Sequence, residues 1–316
     1  MSGIVYNLII FHVPEAQSIG DFMTIRNLMA RVAPDIDVLI VSPEIAVAPD
    51  FWSRTAERPT LLFAPLGPPL ARPVDPAIRG ARACGQRLGK LAEVELLAKA
   101  GILVPRTEKI VPDTKLDERE WGPLVVVKPN TSSGGKGVRL ERTKDVRWFD
   151  PRIYPRKDPR RGADMLAQQY IDTGPRAWYY RVFTVLGRAI YSNISMSDEE
   201  DIVPDVVNSK SIDSKIAPNK GLRTITMSND EEVISLGETV HRKFPLVPSM
   251  GIDIIRERET GRLFVLEINT GGMTWHLSSS LGISQQKMYG VDYYGQFDAL
   301  QRIADALIEA TRKFAV

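Results

Sequence analysis

The amino-acid sequence predicts a chain of mixed α and β class in two or three lobes, the first a small α/β unit. Three observations point there. Apolar strands alternate with an amphipathic helix near the start. A lysine at the end of a second apolar strand runs into a glycine-rich loop. Later, two strand-like runs joined by a short turn set two carboxylates opposite each other.

The elements follow in order. Ile4–Phe11 and Ile36–Val41 read as buried strands, and between them Phe22, Ile25, Leu28, Met29 and Val32 recur at helical spacing. Thr60–Ala64 is a third strand, so a parallel βαβ-type sheet is the default for residues 1–84. Pro65, Pro68, Pro69, Pro73 and Pro76 mark a hinge. A helix over Gln86–Lys99 closes at Gly101, a residue suited to the left-handed position past a helix end. Leu124–Val127 and Met165–Ile171 are strands. Tyr179–Leu186 and Arg188–Ser195 form a hairpin about Gly187, and residues 197–223 read as loop. Ser228 or Asn229 caps a helix reaching Phe244. A last helix carries Phe297, Leu300, Ile303, Ala304, Leu307 and Ile308 on one stripe, which is core packing. The expected lobes are 85–164, with the glycine-rich loop, and 165–316, with the acidic hairpin.

Composition narrows the function classes. Lys plus Arg is 41 and Asp plus Glu is 39, so bulk charge selects no polyanionic partner. One cysteine, Cys84, excludes an intramolecular disulfide and a cysteine metal cluster, and three histidines argue against a histidine-rich site. Ile4–Phe11 is too short to span a bilayer, and no basic residue precedes it. Neither a membrane segment nor a secretory leader is expected, and a cytoplasmic location fits. Residues 136–161 hold ten Lys or Arg and four Asp or Glu. A solvated loop is the plain reading; a mobile cover over an anionic ligand is the alternative. Without a nucleic-acid motif, no nucleic-acid partner is expected.

The acidic hairpin spans Met250 to Asn269. With Glu259-Thr260-Gly261 as a three-residue turn, Arg258 faces Arg262 and Asp253 faces Glu267. Opposed residues share a face, and Asn269, two residues on from Glu267, shares it too. Ile252, Ile254, Leu266 and Ile268 take the other face. Opposed carboxylates need a cation, a proton or basic partners. Three oxygen donors suit magnesium; neutralisation by Arg256 or Arg181 is the competing reading.

In Lys128-Pro-Asn-Thr-Ser-Ser-Gly-Gly-Lys136-Gly137, glycines allow close backbone approach and free amides can meet phosphate oxygens. Lys128, Lys136, Ser132 and Ser133 add donors. The spacing is neither the P-loop nor the dinucleotide fingerprint.

Together, loop and hairpin resemble the ATP-grasp superfamily over residues 85–283. Gly89-Lys90 through Pro105 looks like the family's first helix, whose lysine reaches nucleotide phosphates. Gln168-Gln169-Tyr170-Ile171-Asp172 resembles the interlobe strand that holds adenine. Tyr180-Arg181-Val182 resembles a strand whose arginine contacts the transferring phosphate. Asn269 through Ser278 is similar to the segment after the metal Asn in D-alanine–D-alanine ligases, with Gly271 in place of Ser-Pro.

The resemblance implies ATP sandwiched between two α+β lobes. Lys90, Lys128, Ser132, Ser133, Gly134, Gly135, Lys136 and Gly137 would hold phosphates, and Gln168, Gln169, Tyr170, Ile171 and Asp172 the base and ribose. Asp253, Glu267 and Asn269 would hold one or two magnesium ions, with manganese as a substitute. Arg181 and Lys128 would serve catalysis. Gly272, Thr274, Trp275, His276 and Ser278 would meet the substrate. The implied reaction is an ADP-forming ligation of a small carboxylate to an amine, an amino acid or peptide, through an acyl phosphate. A small-molecule kinase and a non-catalytic nucleotide- or nucleic-acid-binding module are the alternatives; a homodimer fits.

Overall fold

The computed structural model describes residues 5–42, 52, 56–66, 78–85, 88–198, 212–213, 223–270 and 275–316. Its first sheet holds β1 (Tyr6–Phe11), β2 (Ile36–Val41), β3 (Thr60–Ala64) and β4 (Arg82–Cys84). All neighbours are parallel, in the order β2-β1-β3-β4. The near-continuous apolar runs follow from burial on both faces, since β3 is buried at every residue. Helix α1 (Ile19–Val32) starts at Ser18, whose side chain accepts from Gly20 N. It presents Phe22, Ile25 and Met29 to the sheet's core.

Next come α2 (Lys90–Lys99), β5 (Thr107–Lys109), α3 (Glu118–Trp121), β6 (Leu124–Pro129), β7 (Arg139–Arg142) and β8 (Met165–Gln169). With β11 (Ile212–Asp213), the strands form an antiparallel sheet ordered β11-β7-β6-β8-β5. Its back buries Val125, Val127, Met165 and Ala167 with Trp121 and Val146. Its front carries Val126, Lys128 and Gln168 into the cleft.

The third sheet is ordered β12-β10-β9-β13-β14 and antiparallel. Its strands are β9 (Trp178–Val185), β10 (Arg188–Ser197), β12 (Arg223–Met227), β13 (Ser249–Arg256) and β14 (Leu263–Asn269). β9 and β10 meet at Leu186-Gly187, both with positive φ, as a tight two-residue hairpin requires. Helix α4 (Glu231–Arg242) is capped by Asp230, which accepts from Val233 N, rather than by Ser228 or Asn229. It covers the sheet's back with α2, where Leu97, Val233 and Val240 meet Ile252, Ile254 and Val265. Thus α2 packs on β14 while also touching β5 of the sheet that follows it in sequence.

Helices α5 (Ser280–Tyr289) and α6 (Ala299–Phe314) end the chain. The α6 stripe is core, as its periodicity predicts: Ile303, Ala304 and Leu307 are fully buried. They join β10 residues to the first sheet in one continuous core. The first sheet is also held by Asp21 of α1. Its buried carboxylate accepts from Trp275 Nε1 (2.9 Å), Ser278 Oγ (2.6 Å) and Tyr294 OH (2.9 Å). Asp21→Ala leaves these three donors without their acceptor, and the loss of charged hydrogen bonds costs roughly 3 kcal/mol. The urea midpoint of the variant is expected to fall well below that of the wild type; an unchanged midpoint would show the latch to be energetically idle.

Candidate functional site

A cleft of about 1090 Å³, its open mouth included, lies between the second and third sheets. The sequence-derived pairing of Asp253 with Glu267 is present in β13 and β14. It arises differently from the simple count. Glu257 N bonds Arg262 O, so the turn is four residues, 258–261, and Arg256 faces Leu263. That register would separate Asp253 from Glu267. A β-bulge between the pairs Asp253–Glu267 and Ile254–Val265 takes up one extra residue, Leu266, and restores the match. The bulge also corrects the expected facing of Leu266, which lines the cleft beside Glu267.

Across the third sheet the pairings run Asn193–Arg181–Asp253–Glu267 in one row. Arg181 Nε and Nη2 donate to the two oxygens of Asp253, each at 2.7 Å. Lys90, at the start of α2, pairs with Glu267. Arg256 instead donates to Asp230 and Glu232. In the next row Asn269 faces Gly251. A Cβ placed on Gly251 would lie 3.6 Å from Asn269 Cβ and 4.0 Å from Arg181 Nε, so Asn269 stands on the same side as the row.

The opposite wall is built by β6 and β8. Lys128 donates to Gln168 Oε1 (2.9 Å), and Gln168 Nε2 donates to Thr107 Oγ1 (3.0 Å). Beyond Lys128, Asn130 Oδ1 accepts from Leu91 N and so caps α2 from a distance. A Cβ at position 89 would lie 2.9 Å from Asn130 Nδ2, so a larger residue there displaces the capping side chain. The loop that follows has Gly134, Gly135 and Gly137 at positive φ. Ser132 Oγ, within the loop, is buried without a hydrogen-bond partner.

Not every anticipated residue joins this cleft. Lys90, Lys128, Ser132, Gly134, Gly135, Gln168, Gln169, Tyr170, Ile171, Asp253 and Glu267 line it. Ser133, Lys136, Gly137, Asp172, Arg181 and Asn269 do not; Ser133 and Lys136 are exposed, and Asn269 Nδ2 donates to Gly251 O. Asp172 Oδ1 accepts from Gly174 N, an Asx-type turn. Trp275 is fully buried against Phe22 and Phe183, so it is packing and not a pocket wall. Ser278 bonds Asp21, and His276 Nδ1 bonds Tyr191 OH (2.9 Å). Gly272 and Thr274 lie outside the described residues.

One charged residue of the site is new. Glu93, one turn after Lys90 and on its face of α2, is buried. Burial and the neighbouring Glu267 push its carboxyl up to about 7, against the pull of Lys90 and Lys128. Burial depresses Lys128 to about 8, with repulsion from Lys90 adding to it. Burial raises Asp253 against the pull of Arg181. Burial would raise Glu267 as well, but Lys90 and Lys128 hold it low.

The donor chemistry fits a hard divalent cation. Two opposed carboxylates and a carboxamide are all oxygen ligands; in this structure the carboxylates are neutralised in the way the sequence also allowed, with Arg181 on Asp253 and, in addition, Lys90 on Glu267. Among the described residues no group of three His, Cys, Asp or Glu gathers as a metal site of its own. The partnerless Ser132 hydroxyl and the left-handed glycines suit phosphate oxygens on the facing wall.

No family model matches the chain, and no curated protein matches it. Among solved structures it is similar to D-alanine–D-alanine ligase from Bacillus anthracis, at 15% identity over 98% of each chain and a TM-score of 0.47. It is similar to the D-cycloserine synthetase DcsG, at 15% identity over 97% of this chain and 99% of that one, with a TM-score of 0.49. The same figures hold for the ATP-grasp ligase PsnB complexed with a minimal precursor.

Glu93 gives a test of the site's electrostatics. A carboxyl raised on folding binds more protons folded than unfolded, so stability falls as pH rises from its ordinary 4.5 through about 7. Glu93→Gln removes the buried charge. It is expected to gain up to about 3 kcal/mol at pH 8 and nothing near pH 4.5, read from urea midpoints at both. A gain equal at the two pH values would assign the effect to packing. Lysines and a glycine-rich loop thus face a paired-carboxylate ribbon across a cleft between two α+β lobes, beyond a small parallel α/β unit, which is the arrangement that the resemblance to the ATP-grasp superfamily implies.

Proposed function

We propose that the protein is an ATP-dependent ligase that joins a carboxylate to an amine through an acyl phosphate, releasing ADP and phosphate. The observation that carries this reading is the row Arg181–Asp253–Glu267, whose two carboxylates line the cleft together with Lys128 and its glycine-rich loop. Such an arrangement suits positioning and charge stabilisation, not attack by a protein nucleophile.

The chain's own groups have separable tasks. Ile255 and Leu266, with Val126 on the other wall, give an apolar slot for a base, beside the backbone of Gln169 to Ile171. Lys128 and the amides of Gly134 and Gly135 meet the phosphates. A polyphosphate competes with Glu267 for Lys90, and Glu267 is thereby freed to bind a cation together with Asp253 and Asn269. Magnesium held there would neutralise charge on the phosphate oxygens. Arg181 is oriented by its two bonds to Asp253 and keeps Nη1 out of that pair. Nη1 is thus available to the transferring phosphoryl group or the substrate carboxylate.

In the proposed chemistry, a carboxylate oxygen attacks the γ-phosphorus and the bond to ADP breaks. The amine then adds to the acyl carbon, phosphate leaves, and the amine gives up a proton. The acyl phosphate must be kept from water, a role suited to the glycine-rich loop at the cleft's mouth.

Two predictions follow from this assignment. Asp253→Asn and Glu267→Gln are each expected to lower magnesium-dependent ADP release by about 100-fold or more while the fold survives. The screen pairs amino acids and small carboxylates with amines, and hydroxylamine replaces the amine in a parallel set. A hydroxamate marks the acyl phosphate; ADP release with no hydroxamate for any carboxylate would point to a phosphotransferase, and undiminished turnover in both variants would remove the carboxylates from the mechanism.

The second concerns Lys128. A lysine depressed to about 8 loses its charge as pH rises through that value, so ATP affinity should fall between pH 7 and 9.5. Lys128→Ala should bind roughly 10- to 100-fold more weakly at pH 7 and show a flatter profile. Calorimetry that finds the same pH slope in both proteins would place the titration elsewhere.

A further inference from the structure

The basic stretch that the sequence singles out is not a cover over the cleft. Thr143 buries beneath its start, and Val146 enters the core on the back of the second sheet, with Val125, Val127 and Met165. The segment then crosses that back face, away from Lys128. It returns to the cleft's rim only at its end, where a Cβ on Gly137 would lie 3.3 Å from Arg160 Cγ.

What it leaves in solvent is uncommon. Between Lys144 and Arg161 the chain has seven Lys or Arg and three Asp. That excess of four exceeds the +2 of the whole protein, so charge is concentrated here. Two of the three carboxylates are taken locally, Asp150 by Arg152 and Asp158 by Arg160. Arg147 and Arg161 donate to backbone carbonyls, which leaves their charges uncompensated. Arg156 and Lys157 are exposed.

Among these cations stand Trp148, Phe149 and Ile153, exposed by 40%, 50% and 63%. A merely solvated basic loop has no use for three large apolar side chains within six residues. Scattered single apolar residues on a surface are ordinary, but a contiguous set rimmed by charge marks an interaction site. Arginine with Trp, Phe and Tyr is the composition enriched where proteins bind proteins.

We propose that the face Lys144–Arg161, on the back of the second sheet, docks an acidic polypeptide segment that also bears apolar side chains. The carboxylates of that segment meet Arg156, Lys157 and the uncompensated Arg147 and Arg161. Its apolar side chains cover Trp148, Phe149 and Ile153. A polypeptide is favoured over a nucleic acid because Ile153, the most exposed of the three, cannot stack on a base, and because bare phosphate binding needs no apolar ledge. The proposal is independent of the chemistry assigned to the cleft, since none of these residues lines it.

The test uses the full chain and a short fluorescein-labelled peptide alternating Glu and Leu, read by anisotropy at low and at physiological salt. A peptide alternating Glu and Ser and a single-stranded oligonucleotide are the comparisons. Binding of the Glu–Leu peptide is expected. It should weaken by at least about tenfold in Trp148→Ala/Phe149→Ala and likewise in Arg156→Glu/Lys157→Glu. Affinity for a fluorescent ATP analogue should be unchanged in both variants, which shows that the fold is retained. Absence of peptide binding, or equal binding by wild type and both variants, overturns the proposal. So does equal affinity for the Glu–Ser peptide or the oligonucleotide that survives Trp148→Ala/Phe149→Ala, because the face is then a bare polyanion surface.

Discussion

The bidentate pair of Arg181 and Asp253 is the constraint on which the cleft depends. Asp253 is nearly inaccessible and faces a second carboxylate across the ribbon. Left alone, the two would repel and drive one proton onto the pair. Arg181 enters from β9 on one side and Lys90 from α2 on the other, so the row alternates cation, anion, anion, cation. Buried ion pairs contribute little net stability, because desolvation consumes most of their attraction. Their effect here is on geometry. Arg181 can reach both oxygens of Asp253 only if β9 and β13 keep their register, and Lys90 can reach Glu267 only if α2 lies on β14. The packing of Leu97 and Ile102 in the third-sheet core is what puts α2 there.

Much of this was legible in the sequence where the information is local. Strand alternation fixes which side Asp253 and Glu267 occupy, and the apolar stripe of the last helix identifies its buried face. What failed was counting through a turn. The turn is one residue longer than its Glu-Thr-Gly signature suggests, and the bulge at Leu266 cancels the error. No sequence rule couples the two, because the bulge is selected by what Glu267 must face, not by the residues around it. Glu93 was within reach: three residues from Lys90 on a helix is the same face. It was obscured because Glu in an amphipathic helix ordinarily means solvent. The cap of α2 was beyond reach, since its acceptor, Asn130, is thirty-nine residues away from Leu91.

The segment after Asn269 shows how a likeness in sequence can mislead about burden. Trp275 and Ser278 bind Asp21 of the first unit, and His276 bonds Tyr191. These side chains are committed to joining the first sheet to the third. Single-residue chemistry gave no sign of this, because indole, imidazole and hydroxyl serve ligands and interfaces equally. Deciding between them requires knowing that α1 lies alongside, which only the tertiary packing of Phe22 on Trp275 reveals.

The two lysines of the cleft illustrate how environment divides labour between identical side chains. Burial disfavours the charge on both. For Lys90, Glu267 and Glu93 overcome that penalty and its proton is held more tightly than usual. Lys128 has an uncharged partner, Gln168, and sits near Lys90, so its proton is held more loosely. Charge already balanced by a carboxylate offers little further attraction to an incoming anion; charge that is costly to keep offers most. A phosphate that approaches the cleft therefore relieves Lys128 more than Lys90, and drawing Lys90 to it means breaking a pair. The same logic separates Glu93 from Glu267: one carboxylate is buried without a bonded cation and is raised, the other is bonded to Lys90 and is lowered. The cleft thus keeps one cation, Lys128, bonded to no carboxylate, on the wall opposite two carboxylates that are already paired, before any ligand chemistry is considered.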